Sequence, residues 1–308
     1  MTVRPQPSAS LIVTAPLKSK PAAAATAAYN YRVLMVQRVS RGGSFDGAHV
    51  FPGGIEEEQD HSPRLSKDAH KLCALRETFE ETGLLFTTPT KGRRGLQDIF
   101  RSEQFHSICT ETEARPLSPQ LLARWITPRA QKRRFDTRFY MLNIADSDEF
   151  LLDQLDMGSV QTKELVQMDW LCPGDVLRAN MRGEMPLFPP QFSILHQMSR
   201  YRRWQDLACS VGQSASRFDT DAIASHPVEP LLCKRSDGIV VALLPGDKAY
   251  PEYVDNECKH AVEDADLFCT DSVVPGLHRL TMRPRADGGG FDAIGLLKTA
   301  EPMAAPRL

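Results

Sequence analysis

No stretch of the chain approaches the ~18 uncharged apolar residues of a membrane-crossing helix. The longest candidate, Ile239 to Leu244, is only strand length, so spanning helices and a membrane partner are not expected. Net charge is nearly absent as well: 37 Lys and Arg against 39 Asp and Glu leave −2. That balance gives no general electrostatic reason to coat nucleic acid or an anionic surface, so any basic site must be local. The seven cysteines (73, 109, 172, 209, 233, 258 and 269) contain no C-x-x-C pair. An odd, scattered set is a poor disulfide framework or zinc site and favours a reducing compartment. Acidic residues are missing altogether from positions 1–45, as in mitochondrial transit peptides. The same segment holds two strand-like runs, Ala9 to Thr14 and Tyr31 to Gln37, which a cleaved presequence would remove from the fold.

What is present is ordinary globular material, 42% hydrophobic and 25% charged. A chain of this length buries roughly 75% of its unfolded surface, so its core needs no covalent staple. Between the two early strands, Lys18 to Asn30 is an Ala-rich loop. A Gly-rich turn (41–47) then leads into His49 to Gly54 (HVFPGG), where Pro and paired Gly end a short strand. After an irregular stretch containing Pro63, Asp68 to Thr82 reads as the strongest helix, stopped by Gly83. Leu84 to Phe86 starts a further strand. A helix is expected through Ile99 to Cys109, and alternation marks Phe135 to Ile144 as a half-buried strand. Next come Val166 to Trp170, a helix at Pro173 to Ala179, and an amphipathic helix opened by Leu187-Phe188-Pro189-Pro190 and running to about Trp204. The last hundred residues carry short strands (Ile239 to Leu244, His278 to Met282) between turns. The division expected is a disordered 1–8, a catalytic domain over 9–205 and a β-rich extension over 206–308 packed on the same core.

Within the strong helix, Glu77, Glu80 and Glu81 fall inside about 100° of arc, while Leu72, Leu75 and Phe79 cluster opposite. One face is core and the other is a carboxylate patch. Like charges at this spacing repel, so the patch is either a solvated acidic face or a holder of something cationic. Hard oxygen ligands suit magnesium or manganese, ions that pair with phosphate oxygens.

The run Arg76-Glu77-Thr78-Phe79-Glu80-Glu81-Thr82-Gly83-Leu84 resembles the latter half of the Nudix box, G-x5-E-x7-R-E-U-x-E-E-x-G-U with U apolar, and Gly53-Gly54 stands upstream after a strand. Thr78 occupies an apolar position, and Gly54 precedes Arg76 by 22 residues where the box has 14. The first carboxylate is therefore Asp60, counted from Gly54, or Asp68, counted back from Arg76. The resemblance implies a Nudix α/β/α sandwich with a mixed β-sheet, here with a C-terminal β-rich extension. It also implies metal-dependent hydrolysis of a phosphoanhydride. Glu80 and Glu81 would be the main ligands of Mg2+ or Mn2+, Glu77 a third ligand or the group that activates water, Arg76 the orienting partner, and the Gly54 carbonyl a further ligand. Glu164, six residues before Trp170, matches a Glu that reaches the site in many Nudix proteins; the other reading is a surface charge.

A second resemblance narrows the substrate. Coenzyme A pyrophosphatases of this superfamily carry LLTxR-[SA]-x3-[RK]-x3-G-x3-FPGG, and Arg38, Gly47 and Phe51 to Gly54 fall at those spacings, with Val39 and Gly43 departing. Trp125 to Pro128, Arg133 to Phe139 and Leu187 to Gln191 look like the peroxisomal CoA-diphosphatase branch. The implied substrate is coenzyme A or acyl-CoA, cleaved to 3',5'-ADP and (acyl-)phosphopantetheine. Alternatives are another nucleoside diphosphate derivative (NADH, ADP-ribose, capped RNA) or a Nudix-like binding module without turnover. Arg38, Arg134 and Arg138 are candidate substrate ligands, since guanidinium forks bind phosphate bidentately; the plainer reading of Arg133, Arg134 and Arg138 is a basic strand edge. The chain ends Pro306-Arg307-Leu308, a variant of the S-K-L type tripeptide read by the peroxisomal import receptor. Peroxisome is the expected location, with cytoplasm or mitochondrion as the alternative.

Overall fold

A computed structural model describes residues 3–17, 29–38, 47–88, 105–111, 114–145, 165–213, 226–235, 237–247, 250, 278–286 and 290–298. In chain order the elements are β1 (Gln6–Pro16), β2 (Tyr31–Arg38), β3 (His49–Val50), β4 (Gly53–Ile55), a 3-10 turn (Glu58–Asp60), α1 (Ala69–Thr82) and α2 (Phe105–Glu111). They continue as β5 (Gln120–Ile126), β6 (Phe135–Asn143), β7 (Leu165–Leu171), α3 (Pro173–Met181), α4 (Pro189–Met198) and α5 (Trp204–Gln213). β8 (Leu231–Lys234), β9 (Val240–Leu243), β10 (His278–Pro284) and β11 (Phe291–Lys298) complete the set.

Seven strands form one mixed sheet in the order β3-β2-β1-β6-β5, with β4 added to β1 and β7 to β2. β1 pairs with β6 in parallel, and the remaining pairs are antiparallel. A parallel pair needs a long crossover, and everything from β2 to β5 lies between these two strands. β1 is buried on both faces, so Leu11, Ile12 and Val13 are apolar in succession rather than alternating with polar residues. Ala9, Leu11, Val13 and Ala15 pack with Leu72, Leu75 and Phe79 of α1 and Phe105 and Ile108 of α2. Ile12 faces the opposite layer with Phe192, Leu195 and Met198 of α4. That second cluster also takes in Ala242, Leu280 and Ile294 of the separate antiparallel sheet β11-β10-β9-β8. The buried Asn180 joins the two parts: its Nδ2 donates to the carbonyls of Met185 (3.0 Å) and Phe291 (2.9 Å), and its Oδ1 accepts from the Ile294 N–H at 3.1 Å.

The feature that places the site is a wedge. β1 and β2 pair only where Thr14 to Pro16 meet Tyr31 to Val33, and residues 49–55 enter beyond that point, β3 along β2 and β4 along β1. Leu11 N–H bonds the Pro52 carbonyl at 2.9 Å between the two. The fit leaves no room for a side chain at Gly53, where a Cβ would stand 2.3 Å from the Ala9 carbonyl oxygen.

Several expectations change. The amphipathic run expected to reach Trp204 ends at Met198, and α5 begins separately. Tyr31 and Tyr29 hydroxyls donate to the Met198 and Ser199 carbonyls (2.8 and 2.9 Å), and Asn30 Oδ1 accepts the Trp204 N–H (2.6 Å), so partners distant in sequence satisfy both helix ends. Leu84 to Phe86 are buried but form no strand; pairing there is limited to a bridge between Thr87 and Pro116. The N-terminal disorder expected over residues 1–8 meets a strand that starts at Gln6, held by Ser8 Oγ and Thr137 Oγ1 at 2.7 Å. Cys233 is disulfide-bonded, whereas the scattered cysteine spacing argued against any disulfide; Cys73, Cys109, Cys172 and Cys209 are free thiols. Among the described residues, no helix is long and apolar enough to cross a membrane.

Candidate active site

α1 forms where the sequence places it, with local reasons at both ends. Asp68 is its N-cap, the side chain accepting from the backbone N–H of His70 (3.1 Å) and Lys71 (3.4 Å). Gly83 closes it in the left-handed region at φ 73°, its N–H bonded to the Phe79 carbonyl at 2.7 Å. The polar Thr78 at an apolar box position is fully buried, and its hydroxyl donates to the Ala74 carbonyl at 2.7 Å. That satisfies the hydroxyl within the helix and leaves its methyl for packing.

One stripe of α1 runs along β4 and on to Glu56. Glu81 Oε2 accepts the Gly53 N–H at 3.1 Å. Glu77 lies over Gly54 so closely that a Cβ there would be 2.4 Å from its carboxylate carbon. Cys73 Sγ donates to the Gly54 carbonyl at 3.6 Å, and His70 Nδ1 stands 3.1 Å from Glu56 Oε2. The paired glycines therefore let backbone reach a carboxylate helix that side chains would hold away.

Arg76 ties the stripe together from inside, 1% exposed. Its Nε and one terminal nitrogen each donate to Asp60 at 2.9 Å, and the same nitrogen reaches the Ile55 carbonyl at 3.0 Å. The other terminal nitrogen meets Glu77 Oε1 and Glu80 Oε2, both at 3.0 Å. Asp60, not Asp68, is thus the partner of Arg76, and the eight extra residues lie between Asp60 and α1. Asp60 is wholly buried and also caps its own 3-10 turn through the Glu57 N–H.

Burial lifts the Glu77 carboxyl to about 7, an effect that Arg76 opposes and Glu80 reinforces. Glu80 is raised too, again by burial first. These groups fit a hard divalent cation. The donors are oxygens, three carboxylates share one arc with the Gly54 carbonyl beside them, and concentrated negative charge there exceeds what Arg76 neutralises. Among the described residues no three acidic, His or Cys groups are already closed into a metal cluster, because Arg76 and the Gly53 N–H engage the carboxylates.

Residues 64–198 match the family described as the NUDT19 Nudix domain. That stretch runs from just before α1 to the end of α4. It is 26% identical to acyl-coenzyme A diphosphatase NUDT19 of Gallus gallus, over 80% of this chain and 79% of that one. The Homo sapiens protein of the same name is 25% identical over 82% and 83%. A solved Nudix hydrolase from Alicyclobacillus acidocaldarius superposes with a TM-score of 0.49 at 23% identity, over 65% of this chain and 93% of that one.

The candidate arginines sit differently from one another. Arg134 is buried: it donates to the Thr127 carbonyl (2.9 Å), the Val3 carbonyl (2.9 Å) and Glu229 Oε1 (2.6 Å). These bonds make it a fastener between β6, the N-terminus and the segment before β8, with its fork already committed rather than open to substrate. Arg133 stacks over Phe135, and Arg38 ends β2 opposite Leu165 of β7. Arg138 is on the α1 face of the sheet: Ala9 is its register partner, and Ala9 pairs on its other side with Gly54. Its terminal nitrogen contacts His70 Nε2. Glu164 and the tripeptide Pro306 to Leu308 lie outside the described residues. Sequence reasoning missed His70 and Glu56. The signal was available for His70, which lies seven residues before Glu77 and so on the same helical face.

Proposed function

We propose that this Nudix pyrophosphohydrolase cleaves the diphosphate linkage of coenzyme A or an acyl-CoA, giving 3',5'-ADP and (acyl-)phosphopantetheine. Water oxygen becomes bonded to one phosphorus as the bridging P–O bond breaks, and the water's protons pass to the base and the departing phosphate. The observation that carries this reading is the meeting of Gly53 and Gly54 with Glu77 and Glu81 across the wedge, locked by Arg76 and Asp60. The names of the relatives, acyl-coenzyme A diphosphatases, supply the substrate class. The ordered carboxylate stripe argues against a module without turnover.

Glu80, Glu81 and the Gly54 carbonyl would hold magnesium or manganese, which would supply neutralisation of phosphate charge and an acidified water. The chain's own residues do the positioning. Arg76 fixes the carboxylates of Glu77 and Glu80, and the Gly53 N–H orients Glu81. Glu77, buried and reluctant to ionise, accepts the proton of the attacking water at a carboxylate oxygen. Arg138 receives a substrate phosphate. Residues 9–205 form the hydrolase domain and 206–308 its extension.

Purified chain with magnesium or manganese should turn over CoA or a short acyl-CoA with higher kcat/KM than NADH or ADP-ribose, and Glu81→Gln should lose turnover while keeping a cooperative melt. Preference for NADH or ADP-ribose would overturn the substrate assignment. Near-wild-type activity in Glu81→Gln would overturn the site.

The C-terminal Pro-Arg-Leu and a CoA-consuming activity together support delivery to peroxisomes. An N-terminally fluorescent chain should give punctate signal that disappears when residues 306–308 are removed; diffuse or mitochondrial signal from both forms would refute the address.

A further inference from the structure

Three arginines of the same domain are each matched to a carboxylate: Arg76 to Asp60, Arg124 to Asp136, Arg134 to Glu229. Arg138 differs. Among the described residues its guanidinium pairs with no carboxylate, and its contact is an imidazole nitrogen, His70 Nε2. A guanidinium has only donors, so Nε2 must be the acceptor and the ring proton sits on Nδ1. Nδ1 faces Glu56 Oε2 at 3.1 Å, with Asp68 Oδ1 farther off at 3.8 Å. Glu56 is itself held, its other oxygen 2.9 Å from His61 Nε2. Burial and the nearby Arg138 charge both push the His70 pKa below the ordinary histidine value, against the pull of Glu56, Asp68 and Asp136.

A neutral acceptor orients an arginine without cancelling its charge. A carboxylate in the same place would fix the guanidinium but compete with any anion. The location gives the charge a use. His70 and Glu77 are on one face of α1, seven residues and so about 10 Å apart along the axis. Arg138 is two strand spacings from Gly54, again about 10 Å. A nucleotide with its diphosphate at the carboxylates can place a second phosphate at that distance.

We infer that His70, set beside Glu56, is a positioning residue that presents Arg138, which has no carboxylate partner among the described residues, to the 3'-phosphate of the substrate. The inference rests on the CoA reading above and gives it a discriminating contact. Its test uses the full chain with magnesium, His70→Ala, His70→Gln, Arg138→Ala and the double variant His70→Ala/Arg138→Ala, each assayed on CoA and 3'-dephospho-CoA. His70→Ala should raise KM for CoA about ten-fold, with a much smaller effect on kcat and on KM for 3'-dephospho-CoA. His70→Gln, whose amide offers one acceptor and one donor, should recover most of the loss. The double variant should be no worse than Arg138→Ala alone, since His70 acts through Arg138. Equal losses on both substrates, no rescue by Gln, or additive effects would overturn it. Calorimetric binding of 3',5'-ADP against 5'-AMP needs no turnover and separates this inference from the reaction assignment. If the wild type fails to cleave CoA yet prefers 3',5'-ADP, and His70→Ala abolishes the preference, the CoA reading falls and the His70 inference stands. No preference in the wild type overturns the inference.

Discussion

Replacing Glu77 by Gln should make the metal-free chain more stable while removing its activity. The carboxyl of Glu77 rises from 4.5 to about 7 because burial, with Glu80 beside it, outweighs the attraction of Arg76. Holding that group ionised in the fold costs roughly 3 kcal/mol at 1.36 kcal/mol per pH unit of displacement. Glutamine has nearly the same shape and its amide oxygen can still accept from Arg76, which also keeps Asp60 and Glu80. The sign comes from proton counts. Between pH 4.5 and about 7 the folded wild type binds more protons at this site than the unfolded chain, so its stability falls as pH rises through that window. The variant has no such proton to lose. Its advantage should be absent near pH 4, grow through pH 5–7 and level off above. With ~2.1 cal/mol/K per residue of unfolding entropy over this length, the plateau corresponds to about 3–5 °C in Tm. The assay is thermal denaturation in chelator at several pH values, repeated with saturating magnesium, where the order should reverse because a cation stabilises the ionised wild type. No gain in chelator at pH 8, or a gain that does not change with pH, would refute the argument that Glu77 is a strained charge awaiting a cation.

Two neighbouring pairs give further tests. Gly53→Ala drives a Cβ against the Ala9 backbone and should cost about 1–3 kcal/mol in a urea melt; at Gly54 the nearest atoms to an added Cβ are those of the Glu77 carboxylate, the far end of a side chain, so Gly54→Ala should cost the melt less and weaken magnesium affinity measured by calorimetry. Equal stability losses would contradict the wedge geometry. Asp60→Ala strips a buried guanidinium of its bidentate partner and should cost about 3–5 kcal/mol. Asp68→Ala removes a helix cap, for about 1 kcal/mol, and a reversed order would show that Asp68 is the partner of Arg76.

Helix α1 was legible because everything that specifies it is local. Asp68 caps it, Gly83 ends it, and a 3.6-residue period separates Leu72, Leu75 and Phe79 from Glu77, Glu80 and Glu81. The Phe-Pro-Gly-Gly turn was legible for the same reason, although its wedge between β1 and β2 was not. Which acidic residue answers Arg76 could not be read from spacing, since the eight added residues could enter on either side of a carboxylate; burial chose Asp60 by offering Arg76 a desolvated partner. Arg134 and Arg138 look alike in sequence, four residues apart. Only the parallel pairing of β6 with β1, which joins residues 129 positions apart, carries one into a web of backbone carbonyls and the other beside α1. The ends of α4 and α5 were likewise decided by Tyr29, Asn30 and Tyr31 from another part of the chain. Periodicity and capping act within a few residues and are written in the sequence; the commitment of a charge depends on what folding brings beside it, because desolvation penalises whatever is left unpaired.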